Sequence, residues 1–497
     1  MAKYYFLSFA TGAGLLAFEV FGPRLLQPHF GQSPLLWAST ISVFLGGMTC
    51  GYFLGGRISS KKNIVPLTCL IWGLISVFVF FSPQINNLVA SMFLNEAPTK
   101  WEPLYISFLN FFIPAILMGT SFPIIVHLCP DIGKTKGEHA GVLLAISTMG
   151  SIFGVLGLYF GLITSFTVSE IAGFLSIPWI LSILLLTSIK KENSNKKNNI
   201  KTAAAFLLFF NYPNTGNYQT IQYQKNSLLH QITVIDEGQN RYLLFDDYIQ
   251  STMKKSAPLE GHFDYIEAFH LVNILRGKEG TSCMVGLGGG SAIRTFIDRY
   301  QNSKVIVAEI DPVVEAVANE YFGIPQTENL EINIIDGRQM FKRKGAPNCD
   351  TALIDGYSTS RYGAYIPWHL TTKEFFFEIK KTMPKDGVIA YNVIGTIDGK
   401  SSTNVKMIAK TILENFDHVI AIPIAETFNV VLFGFDGNID EYSGKLQEFR
   451  LEKNQKYENL LRLSYLIRNV PISKKVPILS DEWAPMDMPG LMVKIYQ

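Results

Sequence analysis

An apolar run, Cys283-Met284-Val285, opens into Gly286-Leu287-Gly288-Gly289-Gly290-Ser291, and nineteen residues past Gly290 a second run, Val305-Ile306-Val307-Ala308, closes on Glu309. Two later runs also end on acids, Asp336 before Gly337 and Asp355 before Gly356. Glycines at a first strand end let a ligand approach the backbone, and an acid at the second strand tip can accept both hydroxyls of a ribose. This is the order of a nucleotide-binding βαβ unit, and it implies an adenosine-type ligand. The glycine cluster alone is weak evidence, and Glu309 alone could be a helix-capping acid; taken in order, the strand ends form one set. An acid at the third end can receive an adenine amino group, and one at the fourth lies where the ligand's reactive group would sit. Asp355 is therefore the candidate catalytic carboxylate, against the plainer reading of an Asx-turn residue.

The elements that must position these residues alternate. Strands are expected at 282–288, 304–310, 330–336, 350–356, 387–394, 418–424 and 428–435, with helices at 291–301, 312–322, 372–383 and 402–415. Such alternation predicts an α/β, Rossmann-like domain over 281–497, a mostly parallel sheet with helices on both faces and ligands at its carboxyl ends. Before it, 218–224, 229–236 and 240–247 read as short strands, a small β-rich lead-in over 212–280.

The first half is different in kind. The chain is 48% hydrophobic and 17% charged, with a mean hydropathy of +0.20, between ordinary soluble enzymes and all-membrane proteins. Residues 4–22, 35–56, 63–82, 104–128, 139–165 and 168–188 each hold about the twenty apolar residues that cross a bilayer. They predict an α-helical membrane bundle of six transmembrane helices over 1–189, followed by a basic and polar linker with a short apolar segment over 190–211. Arg57, Lys61 and Lys62, then Lys134 and Lys136, then Lys190, Lys191, Lys196, Lys197 and Lys201 follow the even-numbered spans. By the positive-inside rule this predicts a multi-pass protein of the inner (plasma) membrane with both termini and the C-terminal domain cytoplasmic. Segment 203–210 is too short to cross again and is read as a membrane-surface or buried piece. Glu19, an acid inside the first span, is either functional or half of an internal ion pair, with Arg24 as a possible partner. Glycines 150, 154, 157 and 161, and 47, 51 and 55, stand at close-packing spacing. A net charge of +2 without a basic stripe gives no reason to expect nucleic acid. Five cysteines without CxxC spacing argue against a disulfide framework or a metal site and read as inert core residues.

Residues 218–497 resemble the spermidine synthase (polyamine aminopropyltransferase) family, on Phe245-Asp246-Asp247-Tyr248-Ile249-Gln250-Ser251, Phe263-Asp264-Tyr265-Ile266-Glu267, the glycine loop, Ala308-Glu309-Ile310-Asp311-Pro312, Ile335-Asp336-Gly337-Arg338 and Leu353-Ile354-Asp355. The whole chain is similar to the bacterial branch in which this domain follows a membrane domain. Shared there are Gly46-Gly47 through Gly55-Gly56-Arg57, Ile366 through Phe376, and Ser480-Asp481-Glu482-Trp483-Ala484-Pro485-Met486-Asp487. The resemblance implies an adenosyl-sulfonium co-substrate, S-adenosylmethionine or its decarboxylated form, and no metal. Gly286, Gly288, Gly290, Ser291, Glu309, Asp336, Gly337 and Gln250 would hold it. Tyr265, Glu267 and Ser358 would face the acceptor, and Asp355 would orient or deprotonate an attacking amine. The implied partners are a small-molecule or lipid acceptor and the membrane, with a homodimer as one admissible assembly.

The departures from the family bear on specificity. The acid that grips the donor's amine in aminopropyltransferases is Ser291 here, the second acid for the polyamine is Ser358, and the Gln or His beside the cleft tyrosine is Ile266. Without an acid at 291 the donor's carboxylate is not repelled. The expected activity is a membrane-integrated, aminopropyltransferase-like transfer to an amine or membrane-borne acceptor. The alternatives are a methyltransferase or lyase using S-adenosylmethionine, or a transporter or sensor regulated by an adenosyl metabolite. Arg294, one turn into the helix after the loop, could attract a carboxylate, although a solvent-facing side chain is the plainer expectation.

Overall fold

The computed structural model describes residues 1–30, 34–62, 64–93, 101–130, 135–163, 165–192, 220–260, 263–360, 363–424, 428–452 and 457–486. The chain divides into two compact units, Met1–Tyr218 with Lys225–His230, and Gln219–Gln224 with Gln231–Gln497. Segment 203–210, expected at a membrane surface or buried, lies outside the described residues.

The first unit is helical: α1 (Ala2–Phe30), α2 (Pro34–Ser59), α3 (Ile64–Phe80), α4 (Ser82–Phe93), α5 (Glu102–Gly119), α6 (Ser121–Leu128), α7 (Lys136–Gly157) and α8 (Val168–Glu192). Among the described residues five stretches are long and apolar enough to cross a membrane, with α5 and α6 counted as one, and the pair α3 and α4, bent by 64°, makes a sixth if counted as one span. The expected third span is thus a broken one. Pro83 explains the break, because the ring disfavours helical geometry at the residue before it and has no N–H to donate. The glycines divide by use. A Cβ on Gly150 would stand 2.1 Å from Phe9 O and one on Gly51 2.3 Å from Ile116 O, whereas Gly157 and Gly161 have nothing within 4 Å. Close packing therefore explains Gly150 and Gly51, and likewise Gly154, Gly47 and Gly55, but neither Gly157 nor Gly161. Glu19 and Arg24 are both buried. Arg24 donates to Gln27 Oε1 at 2.8 Å and to the carbonyls of Ser227 and His230 at 3.0 and 3.1 Å, within the same unit.

The second unit begins with four strands, β1 (Thr220–Asn226), β2 (Gln231–Glu237), β3 (Asn240–Phe245) and β4 (Tyr248–Lys254), in the order β1-β2-β3-β4. The lead-in is one strand larger than expected, since 248–254 turns back at Asp246 and Asp247, whose φ values of 49° and 68° make the hairpin. Two short helices follow, α9 (Asp264–Phe269) and α10 (Leu271–Arg276).

The main sheet has eight strands in the order β14-β12-β13-β11-β8-β5-β6-β7. These are β5 (Ser282–Val285), β6 (Val305–Glu309), β7 (Leu330–Ile334), β8 (Thr351–Ile354), β11 (Val388–Ile394), β12 (His418–Ile424), β13 (Asn429–Phe435) and β14 (Arg468–Asn469), with β9 (Ser358–Ser360) and β10 (Gly363–Tyr365) forming a separate hairpin. Strands β7, β6, β5, β8 and β11 run parallel, while β13 is antiparallel to both β11 and β12. The helices that connect or follow are α11 (Ser291–Arg299), α12 (Pro312–Tyr321), α13 (Gly337–Lys342), α14 (Lys373–Thr382), α15 (Thr403–Ile412), α16 (Ile439–Glu452) and α17 (Glu458–Ser464). Two apolar clusters cover the two faces, one around Phe296, Val307 and Phe433, the other around Phe375, Tyr391 and Leu432. This is a Rossmann-like α/β domain of methyltransferase type, with an antiparallel edge on an otherwise parallel sheet.

The cysteine expectation is overturned. Cys283 on β5 and Cys349 just before β8, both fully buried, form a disulfide across 66 residues. Spacing cannot show it, because adjacency of these strands is a property of the sheet order.

Candidate active site

The strand order places β5 between β6 and β8, so the glycine loop, Glu309 and Asp355 emerge at neighbouring carboxyl ends. Gly286 has a φ of +93°, and a Cβ there would lie 2.5 Å from Asp355 O. Gly290 has a φ of +70° and faces Ile324 Cδ1, 1.9 Å from where its Cβ would be. No other residue fits either position without rebuilding the loop. Gly288 joins them in the left-handed region, and Gly337 packs with no room for a side chain against Val285. Glu309 is buried and bridges two backbone amides, accepting from Leu287 N at 3.0 Å and Asp311 N at 2.9 Å. Its carboxylate is thereby aimed along the loop. Ile310 beside it is 52% exposed and offers an apolar face at the same strand end.

Asp336 is committed on both oxygens. Oδ1 caps α13 by accepting from Arg338 N and Gln339 N at 3.0 and 3.1 Å, and Oδ2 lies 2.9 Å from His369 Nε2. Burial pushes this carboxyl up, but the contacts with His369 and the two amides outweigh it and hold it below its ordinary value. Any further hydrogen-bond donor at Oδ2 would have to share it with His369. Beneath it, Arg338 donates to Asp481 at 2.7 and 2.8 Å and to Glu378 at 2.7 and 3.1 Å.

Asp355 is half-buried at the end of β8. Tyr265 Oη donates to its Oδ2 at 3.0 Å and Asn392 Nδ2 to its Oδ1 at 2.8 Å. Burial raises its pKa, against the two hydrogen bonds that favour the charged form. Burial and the Asp355 charge together push the Tyr265 phenol well above its ordinary value, so it stays a donor. Tyr357 Oη donates to Asn392 O at 2.6 Å and accepts from Ile394 N at 2.9 Å, fixing β11 beside the carboxylate.

Two expectations change here. Glu267, expected on the acceptor side, is buried and ion-paired with Arg299 at 3.0 Å, so its charge is spent in the interior. Arg294, expected to face solvent, is 3% exposed. It donates to the carbonyls of Gly289, Phe322 and Pro258 and to Ser291 Oγ. All four acceptors are neutral, and burial lowers its pKa to about 10. Gln250 donates to Tyr248 O at 3.2 Å along β4, and Ser358 is half-buried on β9. Sequence reading missed Ser251, whose Oγ accepts from Gly289 N at 2.9 Å, and Asn392. Among the described residues no cluster of three His, Cys, Asp or Glu could hold a metal.

No protein-family model matches the chain. A polyamine aminopropyltransferase of Vibrio vulnificus is 30% identical over 185 residues, 36% of this chain and 60% of that protein. One of Chromobacterium violaceum is 30% identical over 210 residues, 41% of this chain and 76% of that protein. A crystal structure of a probable spermidine synthase from Corynebacterium glutamicum matches with a TM-score of 0.39 at 20% identity, covering 56% of this chain and all of that one. The match thus spans under two thirds of the Vibrio relative's own length and over two thirds of the Chromobacterium one. On that sequence likeness the chain belongs to the polyamine aminopropyltransferase, or spermidine synthase-like, family.

Proposed function

We propose that this protein is a membrane-integrated transferase that moves an alkyl group from an adenosyl-sulfonium donor to an amine, with Asp355 as general base. The observation that carries the reading is the Asp355 cluster, a half-buried carboxylate held by Tyr265 and Asn392 next to Gly286. The residues present suit the donor. Left-handed glycines leave backbone open to it, Glu309 is aimed at a ribose, and Ile310 supplies an apolar face for a base.

In the transfer, the acceptor nitrogen's lone pair attacks the carbon next to sulfur. The carbon–sulfur bond breaks, its electron pair returns to sulfur to leave a neutral thioether, and the proton lost by the amine goes to Asp355. A sulfonium leaves without acid assistance, so positioning and one base suffice. The helical unit would sit in the membrane and bring the site to a membrane-borne or polyamine acceptor.

A specific observation favours intact S-adenosylmethionine over its decarboxylated form. Ser291 stands where the family's donor-gripping acid would be, and the buried Arg294 behind it has no carboxylate partner among the described residues. An uncompensated buried cation favours a ligand carboxylate and disfavours the bare ammonium tail. Incubating the detergent-purified full chain with each donor and an amine mixture, then identifying the nucleoside product by mass spectrometry, tests both points. Methylthioadenosine with an alkylated amine marks propyl-group transfer, methylthioadenosine without one marks lyase activity, and adenosylhomocysteine marks methyl transfer; no product from either donor would defeat the enzymatic reading.

A further inference from the structure

Behind the candidate base lies a second amide. Asn392, 2% exposed on β11, donates through Nδ2 to Asp355 Oδ1, and its own Oδ1 accepts from Asn429 Nδ2 at 2.8 Å. Asn429 is itself 6% exposed, the first residue of β13, paired in register with Ile394. The residue before it, Phe428, has a φ of +56°, and its carbonyl accepts from Gly395 N at 2.8 Å. A non-glycine residue in that conformation is strained and persists only where its surroundings impose it. The bend at Phe428 thus starts β13 where Asn429 can reach across to β11.

An asparagine amide can face a carboxylate in two ways. With nitrogen toward it, the carboxylate gains a hydrogen bond; with oxygen toward it, two acceptors meet and repel. Nothing in Asn392 alone decides between them. Asn429 bears on it, because it presents its Nδ2 to Asn392 and the nitrogen's bond is made to the Asn392 oxygen. Tyr357 fixes the main chain of Asn392 through its carbonyl, leaving only the side-chain flip to be settled.

We propose that Asn429 is a positioning residue for Asp355: it locks the Asn392 amide with nitrogen toward the carboxylate, so that Oδ1 is always an acceptor and the acceptor's proton is received at Oδ2. This rests on Asp355 as the base. It adds that the attacking amine must approach from the Tyr265 side, where the phenol shares Oδ2. The groups facing Asp355 are Tyr265 from α9, Asn392 from β11 and Tyr357 from the segment after β8. None of them is cationic, so the carboxylate's charged form is favoured only by hydrogen bonds, from the Asn392 amide at Oδ1 and the Tyr265 phenol at Oδ2.

The test reads the carboxylate directly, without turnover. The full chain is labelled with 13C at aspartate carboxyl carbons, the Asp355 signal is assigned by its loss in D355N, and its midpoint is followed with pH. N429L should raise the midpoint by about one pH unit, a tenfold gain in proton affinity. In an N392L background, N429L should change nothing further, because the relay is already cut. Methylthioadenosine binding confirms the fold of each variant, and N429A replaces N429L if leucine prevents folding. An unchanged midpoint in the single variant, or an equal shift in both backgrounds, would overturn the proposal. A D355N variant that keeps full transfer activity would instead defeat the base assignment while leaving the relay measurable.

Discussion

Arg338 and Asp481 stand 143 residues apart in sequence and meet side to side, both guanidinium ends donating to the carboxylate at 2.7 and 2.8 Å. Thr372 Oγ1 adds a third hydrogen bond to the same carboxylate at 2.8 Å, and Glu378 takes the rest of the fork. Three stretches far apart in the sequence, around 335–338, 366–376 and 480–486, thus converge beneath Asp336. Their joint occurrence has a mechanical reason: they build the floor that aims Asp336 and His369.

Arg338→Met should therefore be costly. It leaves Glu378 and Asp481 without their shared cation, and the loss of one partner from a largely buried network costs about 3–5 kcal/mol. Asp481 is more exposed than the guanidinium, so Asp481→Asn should cost less. Thermal unfolding of the two variants side by side gives the order; a milder Arg338 variant would show that the fork is ornamental.

Asp355→Asn should remove about 10² to 10⁴-fold of the transfer rate while leaving methylthioadenosine affinity intact. The pH dependence has a definite sign. Because burial raises the Asp355 pKa above its ordinary value, activity should fall on acidification at a pH higher than a free aspartate would give. The same shift acts on stability in the opposite sense. A carboxyl with a raised folded pKa contributes fully below its unfolded value and loses that contribution as pH rises through the folded one. The melting temperature of Asp355→Asn relative to the unchanged protein should thus improve as pH is raised; melts at several pH values check it.

Glu309→Ala should weaken methylthioadenosine binding by about 1.5 to 3 kcal/mol, the loss of hydrogen bonds to a charged group. Two backbone amides also lose their acceptor, so the glycine loop should loosen as well. Titration calorimetry measures the first effect and amide hydrogen exchange at Leu287 the second. Unchanged affinity would mean that the ribose is held elsewhere.

Donor choice tests Ser291 and Arg294 together. The unchanged protein should bind intact S-adenosylmethionine at least as tightly as the decarboxylated form. Ser291→Asp, which gives Arg294 an ionic partner at its 3.2 Å neighbour, should reverse the preference, by about tenfold for each 1.4 kcal/mol. A clear preference of the unchanged protein for the decarboxylated donor would sink the argument.

What the sequence disclosed follows from periodicity and local order. The glycine loop, Glu309, Asp336 and Asp355 each sit at the end of an apolar run, so strand ends and site were visible together. Asn392 was not, because it interrupts the apolar strand Val388–Ile394 like any tolerated polar residue, and its meaning depends on Asn429, 37 positions later. Arg294 misled for the same reason. Its partners Phe322, Pro258 and Gly289 come from three separate segments, and a charged side chain on a helix reads as solvated until such carbonyls are brought around it. The fourth lead-in strand was missed because left-handed aspartates, rather than glycines, make its turn.

The bond between Cys283 and Cys349 ties the roots of β5 and β8, the two strands whose far ends carry Gly286 and Asp355. Closing a loop of this size is worth about 4 kcal/mol in chain entropy, but its geometric effect concerns function more. The loop that would bracket the donor and the carboxylate that would take the proton share one welded beam, so their separation is set before any ligand arrives. The outer walls, the Ser251 strand on one side and the His369 turn on the other, join that beam through hydrogen bonds of 2.9 Å each, to the loop and to Asp336.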